Sequence, residues 1–596
     1  GQPGTALDYR RDHSFDVMGR PQSSLVQVDG QVFGAGVVYD VLGRPWQVMD
    51  VTGLGLKTEY GPRGHARALC STPDFGQDPS CAAADTYQRT LKVDVWGNVA
   101  RERRGNSEAL EVARSVWADT GRVASICAGN TGCNLVNEQY GWDAAGNLSS
   151  HLKEARYLEA FTYDTLNRLK AGTLLMRDGV TVNQATVSMG YDALGNICNR
   201  NGTEYEYGIW SGCNGTSGMA SPFSMPAPGT PHAVRQTING SNASSYTYDD
   251  RGNQVFRNAP GTANDRTIAY SLDDKAHEIL MGSGQRVRFW YGPDGQRYKR
   301  EEAGKVTYYL GGVEVIVQGG ITTMKRYVGG IALQTVVSGV VQSTKYLFHD
   351  HLGSLVRIAN ADGSVAERLD YMAFGGRRSP TDPHATGAAS ANTPRGYTSH
   401  EYVDGTGVIH MNGRIYDSEL GRFLQADPVI QAPNNTQSWN AYTYVFNNPF
   451  AYTDPTGMIS FRQLFAVVFA AVYAYFTWDL TGASAIYAAM IGGAITGAIA
   501  TGTWRGAIMG AFTGAVTAGI GWAAQTYEWG NMVRIAAQAV SGGVMESLQG
   551  GNFGNGFLAA GLTAAVMPNL RGIRNDVART AVGALVGGTI SKVTGG

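Results

Sequence analysis

Two Asp-Pro sequences carry the carboxylates best placed in the chain for acid–base chemistry. Asp427 precedes Pro428, and Asp454 opens the sequence Asp-Pro-Thr-Gly that ends at Gly457. Two carboxylates held close together tend to share one proton, so one of them can activate water while the other polarises a carbonyl. Asp-Pro is also typical of turns, and spacing alone favours the turn interpretation. Histidines in this part of the chain are more typical of polar contacts than of metal or nucleophile chemistry; they are His349, His351, His400 and His410.

The six cysteines fall into three couples that are close in sequence, namely Cys70 with Cys81, Cys127 with Cys133, and Cys198 with Cys213. No couple is a CxxC pair and no histidine stands beside one at zinc-ligand spacing, so no metal site is predicted. Each couple lies in a loop rich in Gly, Asn or Ser. We therefore expect three local disulfides in an exported protein, with buried or free thiols in a reducing compartment as the alternative.

Composition narrows the class of protein. At 596 residues the chain requires several domains or a repeat architecture. Its formal net charge is -1 and 16% of its residues are charged, which gives no basic stripe and predicts no nucleic-acid partner. The 79 glycines and 30 tyrosines are typical of an all-β protein with many tight turns. Because Gly1 already begins in the middle of a repeat, the chain is interpreted as a fragment.

One short pattern recurs through the first half of the chain: an aromatic residue, Asp, two residues, then Gly followed by Asn or Arg. Clear copies begin at Phe15, Tyr39, Trp142, Tyr191 and Tyr248, and looser copies begin at Val93, Tyr163 and Tyr291. The pattern predicts a strand that ends in a turn. The aromatic ring packs on the strand face, the Asp accepts hydrogen bonds from turn amides, and Gly or Asn takes the position with positive φ.

Hairpins of this kind are only marginally stable alone, so stacked neighbours must bury a common face and build a long curved sheet. The pattern resembles the YD repeats of the RHS family. That resemblance implies a mainly β fold in which hairpins spiral into a hollow shell, here over residues 1–339.

A second, denser signature lies further along the chain. It comprises His349–Ser354, Gly396–Glu401, Met411–Asp417, Leu420–Pro428, Asn440–Tyr444, Asn447–Pro449 and Asp454–Met458. It resembles the RHS-associated core domain, which we place at residues 340–458.

The resemblance to that core domain implies self-cleavage. It assigns Asp427 and Asp454 as an aspartyl-type pair that cuts the Met458–Ile459 bond, where Met458 replaces the leucine common in the family. A tethered substrate would supply the positioning that a separate protease obtains by binding. No cofactor is expected, and no enzymatic activity other than this intramolecular one. Arg414 and Arg422 are candidates to steer the two carboxylates, but they are interpreted first as structural residues.

The composition changes after Met458. Residues 459–596 are rich in glycine, poor in charge, and free of His and Cys, and 480–504 and 506–527 contain no charged residue. Both stretches are long enough for a membrane-spanning helix. A four-residue spacing typical of close helix packing runs through Gly502, Gly506, Gly510 and Gly514. We predict a Gly/Ala-rich α-helical toxin or pretoxin region, with burial of these helices against the shell as the alternative.

These patterns favour a polymorphic toxin carrier that encloses, cuts off and delivers a pore-forming C-terminal effector. Its expected partners are its own C-terminal segment as cargo, an immunity protein, a secretion apparatus and a target membrane. The carrier would be secreted or displayed at the cell surface, and the released segment would lie in the target-cell membrane. The alternatives are a surface protein for adhesion or carbohydrate binding, and a carrier whose enzymatic toxin lies beyond residue 596.

Overall fold

The computed structural model describes residues 9–462, with gaps at 62–64, 74, 78–79, 83–84, 95–97, 131, 208–212, 214–230, 429, 433–434 and 459. The chain divides into two units, one of Gly1–Asp12 with Gln22–Leu480 and one of His13–Pro21 with Thr481–Gly596. In the second unit the described residues include a turn in which Asp16 accepts hydrogen bonds from the amides of Met18 and Arg20. The predicted helical tail and its glycine stripe lie outside the described residues.

The described residues are mainly strand, which confirms the predicted fold class at that level. The first 31 strands are β1 (Tyr9–Phe15), β2 (Pro21–Val28), β3 (Gln31–Tyr39), β4 (Pro45–Met49), β5 (Gly55–Tyr60), β6 (Ala66–Ser71), β7 (Thr86–Val93), β8 (Val99–Arg104), β9 (Glu111–Val116), β10 (Val123–Ala128), β11 (Val136–Trp142), β12 (Leu148–Lys153), β13 (Tyr157–Tyr163), β14 (Leu169–Arg177), β15 (Val180–Tyr191), β16 (Ile197–Arg200), β17 (Thr203–Glu206), β18 (Gln236–Asn239), β19 (Asn242–Tyr248), β20 (Gln254–Asn258), β21 (Arg266–Tyr270), β22 (Ala276–Met281), β23 (Arg286–Tyr291), β24 (Arg297–Glu302), β25 (Lys305–Leu310), β26 (Val313–Gln318), β27 (Ile321–Val328), β28 (Ala332–Val337), β29 (Val340–His349), β30 (Leu355–Asn360) and β31 (Val365–Arg368).

Three small sheets follow. They are formed by β32 (Asp370–Tyr371), β33 (Arg377–Ser379) and β34 (Asp382–Thr386); by β35 (Glu401–Val403), β36 (Val408–Met411), β37 (Arg414–Asp417) and β38 (Arg422–Phe423); and by β39 (Tyr452–Thr453) with β40 (Phe461–Arg462). The helices in the described part of the chain are short 3-10 turns at Glu108–Leu110, Tyr397–Ser399, Thr436–Trp439 and Val445–Asn447.

The strands from β2 to β31 form one antiparallel meander, in which each strand pairs with the next along the chain. The meander runs without a break across the boundary placed at 339 and 340, where Val337 pairs with Val340 around a two-residue turn. The architecture changes after Arg368, at the end of β31.

From Tyr39 onward, each predicted copy of the YD pattern lies between an odd-numbered strand and the next even-numbered one. Turns in a meander alternate between its two edges, so these copies all lie along the same edge, here called the YD edge. One repeat is therefore one pair of strands.

The turns contain the Asp hydrogen bonds and the glycine with positive φ that the sequence pattern predicts. The Asp40 carboxylate accepts hydrogen bonds from the amides of Leu42 and Arg44, both at 2.9 Å, and Gly43 has φ 77°. The carboxylates of Asp164, Asp192 and Asp249 are bonded in the same way.

Tyrosines link several repeats to the preceding one. Seven tyrosine hydroxyls donate, at 2.7 to 2.9 Å, to the carbonyl of an earlier residue: Tyr60 to Pro45, Tyr163 to Leu148, Tyr191 to Leu169, Tyr207 to Ile197, Tyr270 to Gln254, Tyr291 to Ala276 and Tyr371 to Leu355. In each pair the acceptor begins the strand that follows a turn on the YD edge. The tyrosine therefore contributes a ring to the face of the sheet and a hydrogen bond to its neighbouring repeat.

Residues 440–448, here called the docking segment, bind turns of the YD edge. The Asn448 amide donates to Asn147 Oδ1 and to the Asn167 carbonyl, both at 2.8 Å. Asn440 donates to Asn196 Oδ1 at 2.9 Å, and the Tyr442 hydroxyl donates to the Gly252 carbonyl at 2.7 Å. The signature residues of the core domain thus bind turns from four repeats.

Buried ion pairs also join the long sheet to the residues that follow it. Arg266 contacts Asp417 at 2.7 Å, with side chains 1% and 0% exposed. Arg378 binds Glu159 through two hydrogen bonds of 2.9 Å. Removing one partner of a buried pair leaves an uncompensated buried charge, so loss of Arg266 or Asp417 alone should destabilise this docked arrangement.

Candidate functional site

The two aspartates predicted to act together meet at Arg414, the first residue of β37. Arg414 Nη2 lies 2.8 Å from Asp427 Oδ2 and 3.5 Å from Asp454 Oδ2. The Asp454 side chain is 1% exposed and that of Asp427 is 16% exposed. Residues far apart in sequence are therefore brought to one point, with one carboxylate buried and the other partly open to solvent.

Asp454 also organises the chain that follows it. Its Oδ1 accepts a hydrogen bond from the Met458 amide at 3.0 Å and another from the Thr456 hydroxyl at 3.3 Å. Gly457 adopts φ 68°, and a Cβ at this position would lie 1.9 Å from the Met411 carbonyl oxygen. A glycine is thus required for the Asp454–Met458 segment to approach the turn between β36 and β37.

Arg414 is the residue whose role sequence reasoning underestimated. Besides the two carboxylates, it donates from Nε to the Gly457 carbonyl at 2.5 Å and from Nη1 to the Ala441 carbonyl at 3.1 Å. Burial lowers the pKa of Arg414, while the charges of Asp427 and Asp454 act in the opposite direction. A guanidinium between two carboxylates compensates their repulsion and orients both.

Arg422 has a different environment, although it was paired with Arg414 in the sequence-based interpretation. It contacts the Tyr207 hydroxyl at 2.9 Å and Asn440 Oδ1 at 2.8 Å. Arg422 thus connects the sheet to the docking segment and has a structural role.

The chain is also held beyond Met458. Gln431 accepts a hydrogen bond from the Ser460 amide at 2.7 Å and donates to the Ser460 carbonyl at 3.1 Å. Strand β40 pairs with β39, with Tyr452 opposite Arg462 and Thr453 opposite Phe461. The predicted cleavage position therefore lies in a loop of which both flanks are bound, while Ile459 itself is outside the described residues.

This arrangement contains the parts that hydrolysis of a nearby peptide bond requires. Asp427 is the more exposed carboxylate and is suited to activate water, whereas Asp454 is hydrogen-bonded to the amide of Met458. Because Arg414 contacts both carboxylates and the carbonyl of Gly457, it places positive charge beside the segment that ends at Met458.

The structure joins the cysteines in the three predicted couples, Cys70–Cys81, Cys127–Cys133 and Cys198–Cys213. Each bond ties a strand of the meander to a nearby loop.

Histidines near the core domain make polar and ring contacts. His351 lies beside Tyr140 and binds the Phe450 carbonyl, and His410 contacts the Tyr291 hydroxyl. Within residues 9–462, gaps excepted, no group of three or more His, Cys, Asp or Glu is arranged to hold a metal ion. The same residues include no helix long and apolar enough to cross a membrane.

Comparisons with known proteins support a fold of the YD-shell type. The family model for the teneurin YD-shell matches residues 339–450. The tRNA3(Ser)-specific nuclease WapA of Bacillus spizizenii is 24% identical over 316 residues, which cover 52% of this chain and 11% of that protein. The double-stranded DNA deaminase toxin A of Burkholderia cenocepacia is 22% identical over 58% of this chain and 24% of its own length.

A solved structure has the same fold. The Photorhabdus luminescens Tc holotoxin pore, with a substituted TccC3, matches with a TM-score of 0.51 and 17% identity, over 78% of this chain and 24% of that one. This chain thus spans a quarter or less of the length of these relatives. Together, the meander of YD hairpins, the docked core residues and these matches show that the described part of the chain has a fold similar to that of RHS/YD-type shells.

Proposed function

We propose that this protein is a secreted toxin carrier that cuts its own chain at Met458–Ile459 and delivers the C-terminal segment. The observation that carries the proposal is the meeting of Asp427, Asp454 and Arg414 at the segment that ends in Met458. The names of two shell relatives, a tRNA nuclease and a DNA deaminase toxin, support a carrier of toxic cargo. An immunity protein and a secretion apparatus are the partners that such a carrier requires.

Self-cleavage is tested by expressing the full chain and separating the products by denaturing electrophoresis. We expect a large fragment and a small one of 138 residues that begins at Ile459. Asp454→Asn and Asp427→Asn should each leave the chain intact, because an amide neither accepts nor releases the proton that hydrolysis requires.

The matched control is Asp382→Asn, which alters a third Asp-Pro sequence. Asp382 lies in β34, is 44% exposed, and contacts Arg177 at 3.7 Å. This variant should cut normally. Cleavage at Met458–Ile459 in both Asp454→Asn and Asp427→Asn would disprove the aspartyl mechanism.

We further propose that the cargo is membrane-active. Residues 480–504 and 506–527 carry no charge, and Arg505 between them would lie at a water interface. The stripe of Gly502, Gly506, Gly510 and Gly514 would let the two helices approach closely. Enclosure in a shell would keep such segments from aggregating before release.

Dye release from anionic liposomes, with flotation to score binding, tests this second step. Gly510→Leu keeps the hydrophobicity but fills the groove, so binding should persist while leakage falls. Ile508→Asp should weaken insertion itself, because a charge in mid-helix costs about 2.5–3.5 kcal/mol. A released segment that neither floats nor leaks would favour an enzymatic toxin, as the names of the nuclease and deaminase relatives do.

A further inference from the structure

Three consecutive carbonyls of the cleavage segment are bound by three consecutive residues of one turn. The Asn412 amide donates to the Pro455 carbonyl at 3.0 Å, the Gly413 backbone donates to Thr456 at 2.8 Å, and Arg414 Nε donates to Gly457 at 2.5 Å. The two segments thus lie in register, although the Gly413 N–H is shared with the Met411 carbonyl, also at 2.8 Å.

The Pro455 carbonyl has a second donor, the buried ring of His400. His400 Nε2 lies 3.2 Å from this oxygen, and His400 Nδ1 lies 2.8 Å from the Thr398 hydroxyl. When that hydroxyl donates to Nδ1, the ring proton is on Nε2 and points at Pro455. Burial lowers the pKa of His400 to about 4, so the ring is neutral at neutral pH.

Side-chain hydrogen-bond donors have their largest effect on backbone position at Pro455. Proline has no backbone N–H, so its carbonyl is the only main-chain group through which this position can be hydrogen-bonded. A carbonyl oxygen has two lone pairs, and Asn412 and His400 together can occupy both.

Close packing of the two backbones supports the same register. A Cβ on Gly413 would lie 2.7 Å from both Met458 Cγ and the Thr456 carbonyl oxygen. Asn412 itself has φ 61°, and its backbone amide donates to His410 Nδ1 at 3.2 Å. The turn therefore restricts the orientation of the Asn412 side chain.

From this geometry we propose that Asn412 and His400 are positioning residues. Their hydrogen bonds to the Pro455 carbonyl determine which peptide bond is presented to the two aspartates. The proposal rests on the proposed self-cleavage. Pro455 lies three residues before the bond to be cut, so neither residue touches the reacting atoms. Together they prevent the cleavage segment from shifting by one residue relative to the aspartates. The bond that is cut is therefore the one at a fixed distance along the backbone from the Pro455 carbonyl.

The test follows cleavage of the full chain in time by pulse-labelled cell-free synthesis, with mass analysis of the small fragment. Asn412→Asp keeps the shape and the turn but presents an acceptor to the carbonyl, so cleavage should slow by about tenfold. His400→Leu should slow cleavage by about threefold to tenfold, and His400→Gln, which retains a donor, should recover most of the rate. Fragments that begin one residue away from Ile459 are the expected signature of lost register.

Asn201→Asp is the matched control. Asn201 precedes Gly202 in another turn, has φ 51°, and uses its Oδ1 as an acceptor for the Ser188 amide, which an Asp can also provide. This variant should cut at the normal rate. The thermal midpoint of each uncut chain shows whether the fold has survived.

Normal rate and normal fragment mass in Asn412→Asp combined with His400→Leu would overturn the positioning role. Slow cleavage of these variants alongside unaltered cleavage of Asp454→Asn would instead retain the positioning role and reject the aspartyl mechanism. A wild-type chain that never cuts would reject both.

Discussion

At the scale of single residues, Arg414 contacts both Asp427 and Asp454, while Asn412 and His400 contact the carbonyl of Pro455. Asp427 and Asp454 were recognisable because each lies in a motif with a family resemblance. Sequence reasoning considered that Arg414 steers the carboxylates but favoured a structural role, because its contacts with Ala441 and Gly457 depend on how three distant turns fold together. His400 and Asn412 were hidden for the same reason, since a donor to a backbone carbonyl has no sequence signature.

Arg414 provides a prediction with an internal control. Arg414→Lys keeps the charge but cannot reach both carboxylates and the carbonyls of Gly457 and Ala441, so self-cleavage should slow at least tenfold. Arg422→Lys alters an equally buried arginine that contacts neither aspartate and should still cut. The measurement is the half-time of cleavage of each labelled full chain. Equal slowing of both variants would show that Arg414 acts only through general stability.

Two buried glutamates predict opposite dependences of stability on pH. Burial would raise the pKa of Glu159, but the charges of Arg378 and Lys153 outweigh it and lower that pKa to about 2 from 4.5. Its stabilising contribution is therefore complete above pH 4.5 and is lost as the pH falls towards 2. Burial raises the pKa of Glu138 to about 8, so this group destabilises the fold progressively as the pH rises from 4.5 to 8.

Thermal midpoints measured from pH 2 to pH 9, in an uncut Asp454→Asn background, check both signs. Glu138→Gln should flatten the decline in stability above pH 5. Glu159→Gln should be most destabilising near neutral pH and least so near pH 2. Parallel pH profiles for all three proteins would contradict the assignment of these charge states.

At the scale of elements, the hairpins were predictable because their turns are local. Asp, Gly and an aromatic residue at fixed spacing specify strand, turn and strand without reference to distant parts of the chain. The link from each tyrosine hydroxyl to the preceding repeat was not predictable, because its acceptor is a main-chain carbonyl set by the register of three strands. The sheet continues past residue 340, where the motif signature changes while the strand pairing does not.

Removal of single tyrosine hydroxyls tests the link between repeats. Tyr163→Phe and Tyr191→Phe should each lower the free energy of unfolding by about 1 kcal/mol, the contribution of one hydrogen bond. Tyr207→Phe should lower it further, because its hydroxyl also accepts a hydrogen bond from Arg422. Urea titration of uncut chains gives the three values. Unchanged midpoints in all three variants would show that ring packing alone holds adjacent repeats together.

At the scale of the whole molecule, the long sheet and the core domain form one interlocked structure. Buried pairs such as Arg266–Asp417 connect residues about 150 positions apart in the chain, and the docking segment binds turns up to about 300 positions away. Separate domains with a linker would show few such contacts. We therefore expect the aspartates to come together only after the repeats have folded, so that the proposed cleavage would depend on a folded sheet.

The contacts between the docking segment and the YD edge also limit how the genes for proteins of this fold can change in length. Repeat arrays gain and lose units by duplication and deletion of DNA, and the strand pairing of a meander would accept either. Asn448, Asn440 and Tyr442, however, meet turns at Asn147, Asn196 and Gly252, and these contacts fix how many hairpins lie between them. We expect copy number to be held constant across that interval, and variation in length to accumulate before it.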